Sequence, residues 1–135
     1  MKIKRIEHIA IAVDSMGQSM DLFRDVFGLG VEYEEQIGQT KLAMLPVGET
    51  YVELLEGQGP DSGVTKWIAE KGAGLFHICF EVEDIDAALA ELTAKGVKLR
   101  DEVPRIGHGG SRIAFLDPAG TGNVLIELAE LAAGH

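Results

Sequence analysis

The chain has 135 residues, enough for one compact domain with a real core and too few for two ordinary independent ones. Hydrophobic residues make up 46% and charged residues 25%, a globular balance that sets aside disordered and fibrous classes. Twelve Lys plus Arg against 22 Asp plus Glu leave a formal charge of -10, which repels a phosphate backbone, so nucleic acid is not expected as a partner.

The chain opens with MKIKRIEHIAIAV, basic residues ahead of an apolar stretch. Glu7 and His8 interrupt that stretch, and it runs into a helix signal at Asp14-Ser15 rather than a cleavage site, so no signal peptide is expected. From Ile6 the pattern alternates: Ile9, Ile11 and Val13 share one face of a strand, which leaves His8 with Ala10 and Ala12 on the other. Asp14 or Ser15 then caps a helix carrying Met16, Met20, Phe23 and Phe27, stopped by Gly28. The acidic residues at 32, 34 and 35 suit a solvated loop or strand end. KLAMLPVGETYVELLEG, residues 41–57, is a pair of strands around a Pro- and Gly-containing turn, with Val52 and Leu54 on one face and Glu53 on the other.

A linker at 58–74 follows, where Asp61-Ser62 can cap a short helix through Val64, Trp67 and Ile68. An amphipathic helix packed on the sheet edge is the economical reading of those side chains, ahead of Trp67 stacking on a ligand, and Lys66 and Lys71 read as its solvated face.

LFHICFEVEDI, residues 75–85, then repeats the pattern of IEHIAIAVDSM, residues 6–16, at a constant offset of 69, and places His77 on His8. Asp84 caps a second helix through Ile85, Ala88, Leu89 and Leu92, and Gly96 ends it. The run from Arg105 to Arg112 carries three glycines, which suit either a hairpin or a loop whose backbone N–H groups and two arginines meet an anion. Solvent exposure is expected for His108 in that loop, with proton transfer or a bond to a carboxylate as the functional alternative. RIAFLDPAGTGNVLIELAE, residues 112–130, mirrors the earlier strand pair and sets Glu127 on Glu53, with Ile126 and Leu128 on the opposite face. Cys79, the single cysteine, cannot form an internal disulfide and reads as a small buried packing residue, while His135 sits at the frayed end. No stretch approaches the roughly 18 to 20 apolar residues that cross a bilayer, so a reducing cytoplasmic setting is expected.

The predicted architecture is α+β, with module 1 at about 3–57, a linker helix at 58–74 and module 2 at about 75–131 forming one domain. His8 and Glu53 come from one half, His77 and Glu127 from the other. If the two sheets face each other about a pseudo-twofold axis, the four side chains converge in one cleft. Two imidazoles and two carboxylates suit a borderline divalent ion and leave two positions open for water or substrate. Packing alone gives no reason to keep polar residues at equivalent positions of both copies.

EHIAIAV, VELLEG, HICFEV, PRIGHGGSRIAFLDP and GNVLIEL resemble the vicinal-oxygen-chelate superfamily, which includes glyoxalase I, extradiol dioxygenases, fosfomycin-resistance enzymes and methylmalonyl-CoA epimerase. The resemblance implies two tandem βαβββ modules, a half-open barrel-like sheet with a central metal cleft, and one divalent ion (Co, Mn, Ni, Zn or Fe) held by His8, His77, Glu127 and Glu53. ELLEG, PDSGVTKWIAEKGAGLFHICFEV and EVPRIGHGGSRIAFLDP are most similar to methylmalonyl-CoA epimerases. That similarity implies interconversion of (2R)- and (2S)-methylmalonyl-CoA by α-proton abstraction through an enediolate, in a homodimer. Glu127 and Glu53 are then the acid-base candidates, and Arg105, Gly109, Gly110, Ser111 and Arg112 the contacts for an acyl-CoA thioester. A glyoxalase-I-like lyase and a non-catalytic ligand-sequestering protein are the alternatives. Three positions depart from the epimerase pattern: TKLAMLP lacks the second inward acid that some members carry, Asp117-Pro118-Ala119 stands for His-Pro-Lys, and Asn123 stands for Gly.

Overall fold

The computed structural model describes residues 1–133, so the expected frayed position of His135 lies outside the described residues. Two copies of one topology account for the chain. Strand β1 (Ile3–Val13) leads into helix α1 (Met16–Met20), and strands β2 (Tyr33–Ile37), β3 (Thr40–Val47) and β4 (Thr50–Gly57) complete the first copy. Helix α2 (Gly63–Lys71) connects it to the second: β5 (Gly74–Val82), α3 (Ile85–Ala94), β6 (Arg105–Ile106), β7 (Arg112–Phe115) and β8 (Ile126–Glu130). The hydrogen-bonded order is β2-β3-β4-β1 in one copy and β6-β7-β8-β5 in the other, which is the same winding. In both, the first strand pairs in parallel with the last and the remaining neighbours are antiparallel. The α+β class and the paired βαβββ modules stand as expected.

The predicted caps hold. The Ser15 hydroxyl accepts from the Gln18 N–H at 3.2 Å and the Asp84 carboxylate from the Ala87 N–H at 3.0 Å. Gly28 and Gly96, both at positive φ, follow the helical segments they were expected to stop. One helix departs from its α pattern. After Met20 the chain widens into a π-helical turn, Asp21–Val26, with the Phe27 N–H donating to the Leu22 carbonyl five residues back at 2.9 Å. The wider turn rotates Phe27 off the core, leaving it 59% exposed and edge-on to Phe23 at a centroid distance of 5.6 Å. Glu34 and Glu35, expected in a loop or strand end, lie within strand β2 at the sheet's edge.

The chain forms two compact units, with breaks after Glu7 and after Phe76. In the unit His8–Phe76, the face of β1 carrying Ile11 and Val13 packs with Val52 and Leu54 of β4 against Met16, Met20 and Phe23. The opposite face, with Ala10, Ala12, Leu42, Met44 and Leu55, receives Val64, Trp67 and Ile68 of α2. The linker helix therefore lies on the His8-bearing face of the sheet rather than along an edge, and that face is averted from α1 alone. Gly57 permits this close approach, because a Cβ there would meet the Thr65 hydroxyl at 2.1 Å and the Thr65 backbone nitrogen at 2.8 Å. The other unit joins Met1–Glu7 to the chain from His77 onward. There α3 buries Ile85, Ala88, Leu89 and Leu92 against Val82, Ala114, Leu116 and Leu128, with Phe80 and Ile126 beside them. The amino-terminal residues are fastened to this unit by charge: Arg5 Nε lies 2.7 Å and Lys4 Nζ 3.3 Å from the Glu81 carboxylate, and the terminal amine contacts Glu91.

Gly57→Ala is expected to destabilise the fold by about 1–3 kcal/mol through overpacking. Urea unfolding followed by circular dichroism measures it. Because a backbone atom is one of the obstacles, the added change Thr65→Ala is expected to recover only part of the loss.

Candidate metal centre

In the unit His8–Phe76 the parallel register of β1 and β4 sets Ala10 opposite Glu53 and His8 opposite Tyr51. Strand alternation then directs His8 and Glu53 to one face while Val52 and Leu54 turn to α1. Their side chains meet at 3.2 Å, His8 Nε2 to Glu53 Oε1, with His8 fully buried and Glu53 4% exposed. The other unit repeats the arrangement position for position. Cys79, two residues beyond His77, stands opposite Glu127 in the parallel β5–β8 register, and His77 Nε2 lies 3.2 Å from Glu127 Oε1. His77 is fixed edge-on to Phe115 at 5.0 Å between ring centroids, and Phe115 is the register partner of Glu127 on β7.

These separations bear directly on metal binding. Two ligand atoms about 2.1 Å from one cation and about 90–110° apart stand roughly 3.0–3.4 Å from each other. A contact of 3.2 Å in each unit fits two neighbouring vertices of such a coordination shell. The donor chemistry fits as well, since imidazole and carboxylate together suit Zn, Co, Ni, Mn or Fe. Each unit thus offers a buried chelating pair, and an uncompensated carboxylate at such burial would cost several kcal/mol.

The glycine loop is a hairpin connection between β6 and β7, closed by the Gly107 N–H donating to the Ser111 carbonyl at 2.8 Å. Inside it, Gly109 at φ 60° and Gly110 at φ 76° take the left-handed conformation that glycine alone adopts without strain. Ser111 is 1% exposed, and its hydroxyl donates to the His108 carbonyl at 2.7 Å, so this side chain braces the turn. Arg105 is exposed, stacks over Phe115 at 5.5 Å and approaches Asp101 at 3.5 Å. Arg112 turns toward α3, donating to both Asp86 oxygens at 2.8 and 3.1 Å, and this bond holds the Asp86 carboxyl below its ordinary range. Since β7 also sends Ala114 to the α3 core, Arg112 occupies the helix side, opposite Phe115. Its expected role as a substrate contact is not supported by that placement.

His108 corrects another expectation. It is 6% exposed rather than solvated, and Nε2 lies 2.9 Å from Glu7 Oε1, an ion-pair contact that lacks hydrogen-bond geometry. Sequence reasoning missed Glu7 altogether. The available signal was an acid placed next to His8 inside a strand, at a position where burial requires a partner. Cys79 is fully buried, as expected for a packing residue. Trp67 packs at a tilt on Phe76 at 4.9 Å against the core, with the Lys71 ammonium 4.9 Å from its ring, so Lys71 takes part in a cation–π contact beyond simple solvation. Leu42 on β3 is 3% exposed in the core, in keeping with the absence of a second acid on that strand. Asp117 caps the short turn that follows it, accepting from the Ala119 N–H at 2.9 Å, and Asn123 supplies the left-handed φ of 67° that glycine commonly provides.

A family model described as the glyoxalase/bleomycin resistance protein/dioxygenase superfamily matches residues 5–125. Among characterised relatives, the mitochondrial methylmalonyl-CoA epimerase of Dictyostelium discoideum is 35% identical over 95% of this chain and 79% of its own length. The ethylmalonyl-CoA/methylmalonyl-CoA epimerase of Cereibacter sphaeroides is 32% identical over 96% of this chain and 99% of its own. Among solved structures, a variant of Streptomyces coelicolor methylmalonyl-CoA epimerase in complex with 2-nitronate-propionyl-CoA aligns with a TM-score of 0.92 and 37% identity, covering 98% of this chain and 97% of that one. The chain belongs to the glyoxalase/bleomycin resistance protein/dioxygenase superfamily, in the branch that contains the methylmalonyl-CoA epimerases.

Proposed function

We propose that the protein is a metal-dependent epimerase that interconverts (2R)- and (2S)-methylmalonyl-CoA. The observation that carries this reading is the matched pair of buried His–Glu contacts, His8–Glu53 and His77–Glu127, each at 3.2 Å, in a chain whose relatives bear the epimerase name. In the proposed arrangement His8, Glu53, His77 and Glu127 are the residues that would hold one divalent ion. When bound, such an ion would supply positive charge to offset the negative charge that accumulates on the thioester as the α-proton leaves.

The chain's own groups then carry the proton. Glu127 is the first candidate base, and its carboxylate takes the proton from C2 while the C–H electron pair moves into the C2–thioester unit and onto oxygen. Return of a proton to the opposite face of C2 gives the other epimer, with no oxidant, reductant or leaving group involved. Glu53, the equivalent carboxylate of the other module, is the candidate for that second face, since β3 offers Leu42 where some relatives carry an acid. The hairpin at 105–112 is the proposed acyl-CoA contact, through Arg105 and the backbone of Gly109 and Gly110. Ser111 serves it by bracing the turn.

We place the enzyme in the cytoplasm as a homodimer. Exposed Leu22, Val26 and Phe27 on the π-helical turn give a second copy an apolar surface to cover. Among the described residues no helix is long and apolar enough to cross a membrane.

His77→Ala and His8→Ala are each expected to weaken Co2+ binding by more than the roughly 10–100-fold typical of changes beyond the direct ligands, measured by titration against a competing chelator. Unchanged affinity in both variants would remove the shared metal site. Glu127→Gln is expected to lower kcat by ~100-fold or more, consistent with loss of general acid-base catalysis. Deuterium wash-in at C2 of methylmalonyl-CoA reads the proposed C–H cleavage directly. Turnover of the methylglyoxal–glutathione hemithioacetal with no exchange on any malonyl-type thioester would replace the epimerase reading with that of a glyoxalase-like lyase.

A further inference from the structure

The turn at 107–111 has little intrinsic reason to keep one shape. Its two consecutive glycines at positive φ lose more backbone entropy on ordering than any other residue pair would. Backbone closure by Gly107 and the Ser111 brace act within the loop, and the β6–β7 pairing sets its base. The side chain of His108 adds a tie beyond these. It turns inward, is buried to 6% exposure, and reaches the Glu7 carboxylate at 2.9 Å across a sequence separation of about a hundred residues. Glu7 is itself 2% exposed and stands immediately before His8 on β1. Its strand is fastened to the same unit by Arg5 and Glu81 at 2.7 Å, so the loop is tied to a rigid point. Gly107 adds the necessary space, since a Cβ there would meet the Ile113 side chain at 2.8 Å.

We propose that His108 is the positioning residue of the glycine hairpin: its buried contact with Glu7 holds Gly109 and Gly110 in the turn that receives the acyl thioester. The contact acts before substrate arrives, removing the ordering cost that a free Gly-Gly turn would charge against binding. Its loss is therefore felt in substrate affinity, while the proton-transferring carboxylates remain intact. The proposal rests on the reading that this hairpin meets an acyl-CoA.

The test compares the full chain with His108→Ala, His108→Gln and Glu7→Gln, using epimerisation kinetics on methylmalonyl-CoA and amide hydrogen exchange across 105–112. His108→Ala is expected to raise KM by ~10-fold while kcat stays within roughly 3-fold, and to speed exchange at 107–111 by ~10-fold, the mark of a locally released segment. His108→Gln, whose amide N–H can reach the Glu7 carboxylate from about the same place as Nε2, is expected to recover most of both changes. Three results would overturn the proposal: exchange unchanged in His108→Ala, exchange faster with KM unmoved, or a fall in kcat at constant KM, which would put His108 in the chemistry. Should His108→Ala fail to fold, Glu7→Gln with unaltered Co2+ binding carries the same readouts and the same criteria. A wild-type protein without epimerase activity would refute the proposed function. Direct binding of methylmalonyl-CoA by calorimetry would then decide the hairpin's role, an unchanged Kd in His108→Ala refuting it.

Discussion

An imidazole buried beside a carboxylate on an otherwise apolar sheet face is the constraint from which the rest of this molecule follows. Water is excluded from His8, Glu53, His77 and Glu127, none more than 6% exposed, and desolvation of an ionised carboxylate costs several kcal/mol unless a charge answers it. Alternation along β1, β4, β5 and β8 gives each apolar row to a helix and each polar pair to the other face, so the core that holds the sheets also aims the pairs. In the proposed function a divalent cation would answer such a carboxylate without displacing its imidazole. Chemistry at an acidic C–H bond follows from that charge.

Much of this was legible in the sequence because it was written twice. The offset of 69 residues maps His8 onto His77, and the strand alternation around each histidine already states which neighbours face a helix. The cap at Asp84 was equally plain and the first was narrowed to Asp14 or Ser15, since each is a short polar side chain just ahead of an apolar helical stripe. Other features depend on tertiary contacts that local pattern does not encode. The π-helical turn at Asp21–Val26 breaks the periodicity that Phe23 and Phe27 suggested, and the linker helix found the His8-bearing face because Gly57 leaves room for Thr65. Arg112 reads as an anion contact in a glycine-rich loop until Asp86 of α3 is seen to engage both of its terminal Nη nitrogens.

The Glu7–His108 contact illustrates the same limit. Each residue alone suggests solvent: an acid near the chain's beginning, a histidine between glycines. Their burial together joins a glycine-rich hairpin to the residue that precedes a candidate ligand. Sequence separation hides such a pair from any window-based reading, and it is visible only once β1's first residues are found packed with the second module rather than with the first.

The central claim is that the two His–Glu pairs serve a single cation. X-ray absorption at the metal edge of the Co2+-loaded protein tests it most directly. The account predicts one ion per chain, with two imidazole nitrogens and two carboxylate oxygens in the shell at about 2.1 Å. Two ions per chain, or a shell containing only one imidazole, would mean that each module's pair acts alone and would contradict the account.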